Sequence, residues 1–592
     1  VRRVAPYLLA AALYTGLSVL AWWHLWAIGA SRALPVGWGD PSQQVWFLAW
    51  LPHALGQGSD PLLSREMFAP KGLNLVANSS ILLPALLLSP VTVTAGPLVA
   101  YAVGLVAAPA TSALAAFAVL RRYAPYAPAA FLGGLLYGFS PLAVRELGVG
   151  HLHIGFLGIL PVVFLLGDEI LVRQRRSPIS SGALLGLCVA AQFFTSLEVL
   201  AIAALVAALG VLVLAARHPR EALARAPHAA AALGVAALVA GVLLAYPLWF
   251  LVAGPRHYAG ELFAGTGSYA ATVQAIVWPY GHSPTARFVA KATGDYLGIP
   301  LVALLGAATW RLRSGTLRFA TAMGLVSWVL TLGVSLHTGR RSTGIPLPDV
   351  ALEHVPLLEN VIPSRFAVAL AFFAALGLAV VLDRLHDEGL AAFRRHPADL
   401  AAAGAAGGGG TPGGSRHPSS RRRGLAVGAV GAAALVLPAL ATPWPYAARP
   451  LTVPPLYQSA PLRHLRPGTV LLGYPLPNGF HAAPLAWQAI EGFPYALVGG
   501  YAFVPGPGGR PIGSLPVSPV TLVFAATELG TLPPRLSPAS LEALREEIAR
   551  WHVGAVVVLP RGRRPERLAS LLAEVLGRPP ERLDGAWAWL PR

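Results

Sequence analysis

The sequence predicts a mainly α-helical, polytopic membrane protein carrying a small α/β domain at its C-terminal end. Three observations predict it. Hydrophobic residues make up 55% of the 592-residue chain and charged residues only 12%, whereas about a quarter of a soluble domain is charged. Apolar runs near the length needed to cross a bilayer recur along residues 1–442. Beyond residue 442 the pattern changes to short β-rich runs alternating with amphipathic stretches.

Taken in order, runs near 6–30, 97–120, 128–147, 154–172, 179–196, 198–216, 228–252, 296–311, 317–336, 364–383 and 424–442 read as eleven spans. The first lacks a small-residue cleavage site and is too long for a signal peptide, so it reads as an anchor. Segment 31–96 reads as an outer loop with two interfacial helices. In "SQQVWFLAWLPHAL", Trp46 and Trp50 are four apart on one face, Pro52 predicts a kink, and tryptophan favours the membrane boundary. "NSSILLPALLLSPVTVTAG" is too short and proline-broken to span, and reads as the second. Residues 384–423, with "AAAGAAGGGGTPGGSRHPSSRRRG", read as a disordered cytoplasmic linker whose basic end lies at the membrane surface.

Within 443–592, "TVLLGYP" and "VGAVVVLP" predict strands. "SPASLEALREEIARWH", with Ser537 or Ser540 as cap, and "RPERLASLLAEVLG" predict helices. "GGYAFVPGPGGR", Gly499 to Arg510, reads as a turn-rich loop, and no nucleotide motif is present. Net charge +18 would suggest nucleic acid in a soluble protein. Here the arginines follow membrane topology instead. With the N-terminus cytoplasmic, twenty of the 44 basic residues fall on the inner side and ten in the outer loops, which places 443–592 outside the cell. Nucleic acid is not an expected partner. The single cysteine, Cys188, excludes an intrachain disulfide and a thiolate metal site.

In this topology the acids of the membrane part that gather on the outer face include Asp40, Glu146 and Glu198, and carboxylates at membrane depth mark function. Asp40, in "GWGDPSQQ", admits three roles: cap of the helix beginning near Pro41, general base towards a hydroxyl, or ligand of a divalent cation. "SPLAVRELGVGHLHIG" brings Arg145, Glu146, His151 and His153 together in one loop. The two histidines face one way only on an extended segment. Two ligands make a poor metal site, and arginine with histidine suits an anionic phosphate, the alternative being a polar loop with no ligand. Glu198 falls in a tight outer turn or broken helix, bound to substrate or paired with an outer arginine. Arg365 opens the tenth span, either snorkelling or holding phosphate.

An acid just after the first span, interfacial helices in the loop that follows, many spans and an outer C-terminal domain together resemble the GT-C superfamily of membrane glycosyltransferases. "GDPSQQVWFLAW", "GHLHIG", "GDYLGIPL", "TGIPLPDV" and "PSRF" are similar to phrases in GT-C-like membrane proteins of GC-rich actinobacteria. The resemblance implies a polyprenyl-phosphate-linked sugar donor, a cell-envelope glycan or lipid acceptor, and Asp40 as catalytic base or metal ligand. Arg145, His151, His153, Glu198 and Arg365 would bind phosphate or sugar. Many relatives carry paired acids in that loop, whereas here the acid after Asp40 is Asp60. Two rival readings stand: a transporter or flippase of an envelope precursor, and a non-catalytic envelope assembly protein. The acids sit at span ends and no internal repeat is evident, which disfavours transport.

Overall fold

The computed structural model describes residues 4–262, 269–278, 294–338, 341–355, 358–405 and 446–591. Seven of its helices are long and apolar enough to cross a membrane: Pro97–Leu120, Ala127–Gly148, Leu152–Arg173, Pro178–Thr195, Leu197–Arg217, Pro219–Val252 and Pro363–Asp387. With the composition, they make this a multi-pass helical membrane protein. Three more expected runs are helical but shorter: Ala5–Ala21, Ile299–Arg311 and Gly315–Thr331. The first run breaks at Trp22, whose indole donates to the Leu105 carbonyl at 3.2 Å, and a short second helix, Trp23–Ile28, follows. The expected span 424–442 and the 442/443 domain boundary lie outside the described residues.

The Pro363–Asp387 stretch is the most enclosed of the seven. The exposed leucines and valines lie instead on the surrounding helices, at Leu212, Leu238 and Val242 for example, where lipid would meet them. The expected linker 384–423 is corrected in part: the helix Ala367–Ala405 continues through its first half. Alanine is the strongest helix former, so that Ala-rich half propagates the helix.

The C-terminal unit is an α/β sheet. Its strands are β1 (Val470–Tyr474), β2 (Ala496–Leu497), β3 (Val553–Val558), β4 (Glu581–Leu583) and β5 (Ala586–Trp589), in the order β4-β5-β3-β1-β2. Strands β1, β2 and β3 are parallel; β5 and β4 add antiparallel. Helices Pro538–Arg550, capped by Ser537, and Pro565–Leu576 pack on it as their apolar faces require.

The largest departure from expectation is the outer loop. The helix Asp40–Gly56 is buried in protein over most of its length, so it is not an interfacial helix. Trp46 and Trp50 stack at 5.6 Å and pack edge-on against Phe493, and Trp46 Nε1 donates to Gln488 Oε1 at 2.7 Å. Both partners come from the C-terminal unit. The loop meets that unit repeatedly: Ala33–Pro35 pairs antiparallel with Ala448–Pro450, and Leu497 N donates to the Glu66 carbonyl while Ala69 N donates to the Leu497 carbonyl. Asn78 and Phe503 exchange two hydrogen bonds at 2.7 and 2.8 Å. Tryptophans that looked like membrane anchors are thus the packed joint between loop and C-terminal unit. The second helix, Leu82–Ala95, keeps a row of exposed apolar side chains such as Leu86, Leu87 and Val93.

Candidate active site

Five segments converge at one end of the bundle. Asp40 opens its helix with Gly39 as N-cap and no side-chain cap bond, so capping is not what holds the carboxylate there. Its Oδ1 faces His151 Nε2 at 3.2 Å, and His151 Nδ1 lies 2.6 Å from Glu146 Oε2. Glu146 is buried and is held again by Arg145 Nη2 at 3.0 Å and Arg365 Nη2 at 3.1 Å. The other end of the Arg365 guanidinium bonds Glu198, whose second oxygen accepts from Ile362 N at 2.9 Å.

Local sequence explains each position. Ser140 caps the short helix Pro141–Gly148, presenting Arg145 and Glu146 in its last turn. Gly150, at φ +100°, turns the chain into His151; a Cβ there would lie 2.6 Å from Pro41 Cγ, so the turn and the helix start require glycine together. The two histidines lie on a helical turn, Leu152–Gly155 with His151 as N-cap, rather than on the extended segment expected, yet their rings stay 5.4 Å apart. Ser196 breaks the helices Pro178–Thr195 and Leu197–Arg217 and caps the second, which places Glu198 in its first turn. That matches the expected broken helix.

Three carboxylates face three cations, so the cluster is near neutral with His151 charged. Burial lowers the imidazole's proton affinity, but the Asp40 and Glu146 carboxylates outweigh it and raise His151 to about 9. Burial pushes the Asp40 carboxyl up, and the charge and hydrogen bond of His151 more than reverse this, leaving it below its usual value. Asp40 is therefore ionised at neutral pH. It and His151 remain about one-fifth exposed, whereas Glu146 is sealed. Arg145 Nε, His153 Nδ1 and Arg365 Nε are buried with no hydrogen-bond partner among the described residues, polar capacity that native interiors rarely leave unused.

Sequence reasoning missed Tyr501. Its hydroxyl donates to Asp40 Oδ1 at 3.3 Å, and its carbonyl accepts from Gln43 Nε2. It belongs to the stretch Gly499 to Arg510 that read as a turn-rich loop, and nothing in its local pattern marks it. Arg365, expected to snorkel or hold phosphate, is clamped between two carboxylates. No group of three or more His, Cys, Asp or Glu among the described residues is placed to hold a metal ion. Asp40 Oδ1 is taken up by His151 and Tyr501.

No family model and no curated protein matches the chain. Among solved structures it is similar to ArnT from Cupriavidus metallidurans in the apo state, at 14% identity and TM-score 0.48, covering 98% of this chain and 97% of that one. ArnT bound to undecaprenyl phosphate gives 12% and 0.46 over the same shares. The archaeal oligosaccharyltransferase AglB from Archaeoglobus fulgidus, in complex with an inhibitory peptide and a dolichol-phosphate, gives 12% and 0.47, covering 93% of this chain and 69% of that one. Each score falls below the level at which a shared fold follows. What the chain's own residues establish is a helical membrane protein with an ionised, partly open aspartate at the joint between its bundle and its C-terminal α/β unit.

Proposed function

We propose that the protein is a membrane glycosyltransferase that moves a sugar from a polyprenyl-phosphate donor to a cell-envelope acceptor at the outer face. The observation that carries this is Asp40: an ionised, partly exposed carboxylate held by His151 and Tyr501 beside buried arginine and histidine nitrogens that lack partners. Asp40 accepts the proton of the acceptor hydroxyl as that oxygen bonds the anomeric carbon. The bond from that carbon to the phosphate oxygen breaks, and the phosphate leaves with the electron pair. Once Asp40 is protonated, the near-neutral cluster becomes positive, at the moment the leaving phosphate gains charge. Electrostatic stabilisation timed to the transition state is what accelerates a reaction. Arg145 and His153 supply the hydrogen-bonding capacity for the phosphate, while Arg365 and Glu198 fix Glu146 and His151. We place residues 443–592 and the 31–96 loop together as an extracytoplasmic cap on the membrane domain 1–442, with the N-terminus cytoplasmic.

The test of the activity is transfer by the purified protein from polyprenyl-phosphate sugars. Asp40→Asn keeps the shape and the Tyr501 bond but loses the base, so transfer falls by about 100-fold to 10,000-fold. Wild-type rates in a folded Asp40→Asn protein would end the reading. Orientation is tested separately with Cys188 replaced by alanine. An impermeant thiol reagent added to intact cells should label Ser537→Cys and spare Ser177→Cys; labelling of both or of Ser177→Cys alone would refute it.

A further inference from the structure

We propose that the helix Pro519–Leu529 of the C-terminal unit rests on the lipid surface beside the membrane domain, its apolar stripe in the leaflet and an adjoining arginine turn on anionic headgroups. This does not depend on the transfer chemistry above. Local sequence explains the helix: Ser518 and Thr521 form a capping box, Pro519 opens the first turn, and Gly530, at φ +75°, ends the last. At 11 residues it is too short to span a bilayer. Val520, Val523 and Phe524 fill the core under the sheet. The opposite face is apolar too. Leu522, Ala525 and Leu529, spaced three and four apart, are all exposed, Leu522 at 58% and Leu529 at 67%, and Val517 before the cap is 82% exposed. A helix facing water carries charge there. The one charged residue of this helix is Glu528, and its carboxylate is engaged by His481 at 3.4 Å.

Charge selects the partner. The turn that follows strand β3 carries Arg561, Arg563 and Arg564, all exposed. Arg563 lies across the end of the helix: its Nη1 reaches the Leu529 carbonyl at 3.5 Å, and a Cβ on Gly530 would stand 3.0 Å from its Cδ. Arg561 lies over the Trp487 ring, and among the described residues none of the three is paired with a carboxylate. Over 561–567 four arginines face a single acid, Glu566. An apolar stripe that ends in such a turn is complementary to acyl chains roofed by anionic phosphates. Position agrees. Trp38, soon after the first helices end, meets Phe480 with ring centroids 4.7 Å apart, and the next residue, His481, is the one that bridges to Glu528. Two successive contacts thus tie the helix to the point where the chain emerges from the membrane domain. A lipid contact there steadies the C-terminal unit independently of its protein joint at Trp46 and Trp50.

The experiment uses the full-length Cys188→Ala protein in nanodiscs of phosphatidylcholine, alone or mixed with phosphatidylglycerol. A fluorophore is attached at Leu522→Cys, at Leu529→Cys or, as control, at Glu546→Cys on the exposed face of the helix Pro538–Arg550, and lipid doxylated close to the headgroup is included. Doxyl lipid should quench the first two probes and leave the third bright. Phosphatidylglycerol should deepen the quenching, and the double change Arg563→Gln, Arg564→Gln should remove that gain. No difference among the three positions overturns the contact. Disulfide-linked dimers through unlabelled Leu522→Cys, with no quenching of the labelled form, would make the face an interface between copies and overturn it as well. Quenching indifferent to both phosphatidylglycerol and the arginine changes overturns the assignment to anionic headgroups.

Discussion

The same helices carry charged clusters at both ends, and the two are built differently. At the end away from Asp40, Asp168 Oδ2 accepts from Tyr123 OH at 2.7 Å and Arg173 Nε at 2.6 Å. Glu169 Oε1 accepts from the backbone of Arg175 and Arg176 at 2.6 and 2.9 Å. Apart from Tyr123, 45 positions from Asp168, these partners lie five to seven positions from their acid, and the π-helical turn Glu169–Arg173 folds them together. At the Asp40 end, besides the local contacts of Glu146 with Arg145 and His151, others join residues 167 to 461 positions apart: Arg365 with Glu146 and Glu198, Tyr501 with Asp40. Both ends contain buried carboxylates and arginines. The difference teaches what separates an anchor from a site: the first cluster consumes its own bonding capacity, whereas the second ends in an acid still open to water, next to unpartnered donors.

The sharpest way to break this comparison is to make the same substitution at both ends. Asp40→Asn should abolish transfer while the protein stays folded, and Asp168→Asn should leave transfer within a few-fold of wild type while lowering the melting temperature. Equal activity losses would show that the ends do not differ in kind. The next effect is on stability. Arg365→Gln strands Glu146 and Glu198 without their shared cation, and breaking a buried pair in this way costs about 3–5 kcal/mol. Arg173→Gln, at a partly exposed position with Tyr123 still holding Asp168, should cost about 1 kcal/mol. Detergent unfolding midpoints compare the two; a larger loss for Arg173→Gln would invert the assignment.

The smallest effect is a pH dependence. His151 is raised from 6.5 to about 9 in the folded protein. Its contribution is therefore complete below pH 6.5 and declines as pH rises through 9, because the unfolded chain releases the proton first. Asp40 is shifted the other way, and its contribution fades only on acidification below the ordinary carboxylate range. Between pH 7 and 10 the melting temperature of wild type should fall, and His151→Gln should flatten that fall. An unchanged slope in the variant would mean His151 carries no charge between the two carboxylates.

Much of the fold was legible in the sequence. Ten of the eleven apolar runs fall on described residues and are helical, and "TVLLGYP" and "VGAVVVLP" became neighbouring parallel strands. The site was legible in part. Asp40, Glu198 and Arg365 were singled out individually, and Arg145, Glu146, His151 and His153 as one loop, because charge in an apolar chain is conspicuous. Tyr501 was not, since one tyrosine in a Gly-Pro loop differs in no local respect from any other. Trp46 and Trp50 misled for the same reason: the sequence shows amphipathic aromatics but not what covers them.

By itself, then, the sequence determined the helices, the strands and the side chains able to carry charge, because hydrophobic periodicity, caps and breakers act over a few residues. Tertiary structure alone decided that Arg365 closes on two carboxylates, that the tryptophans pack against the C-terminal unit, and that Tyr501 reaches Asp40. Those outcomes depend on which distant segments share space. A hydrogen bond or ion pair between them leaves no periodic trace in either segment.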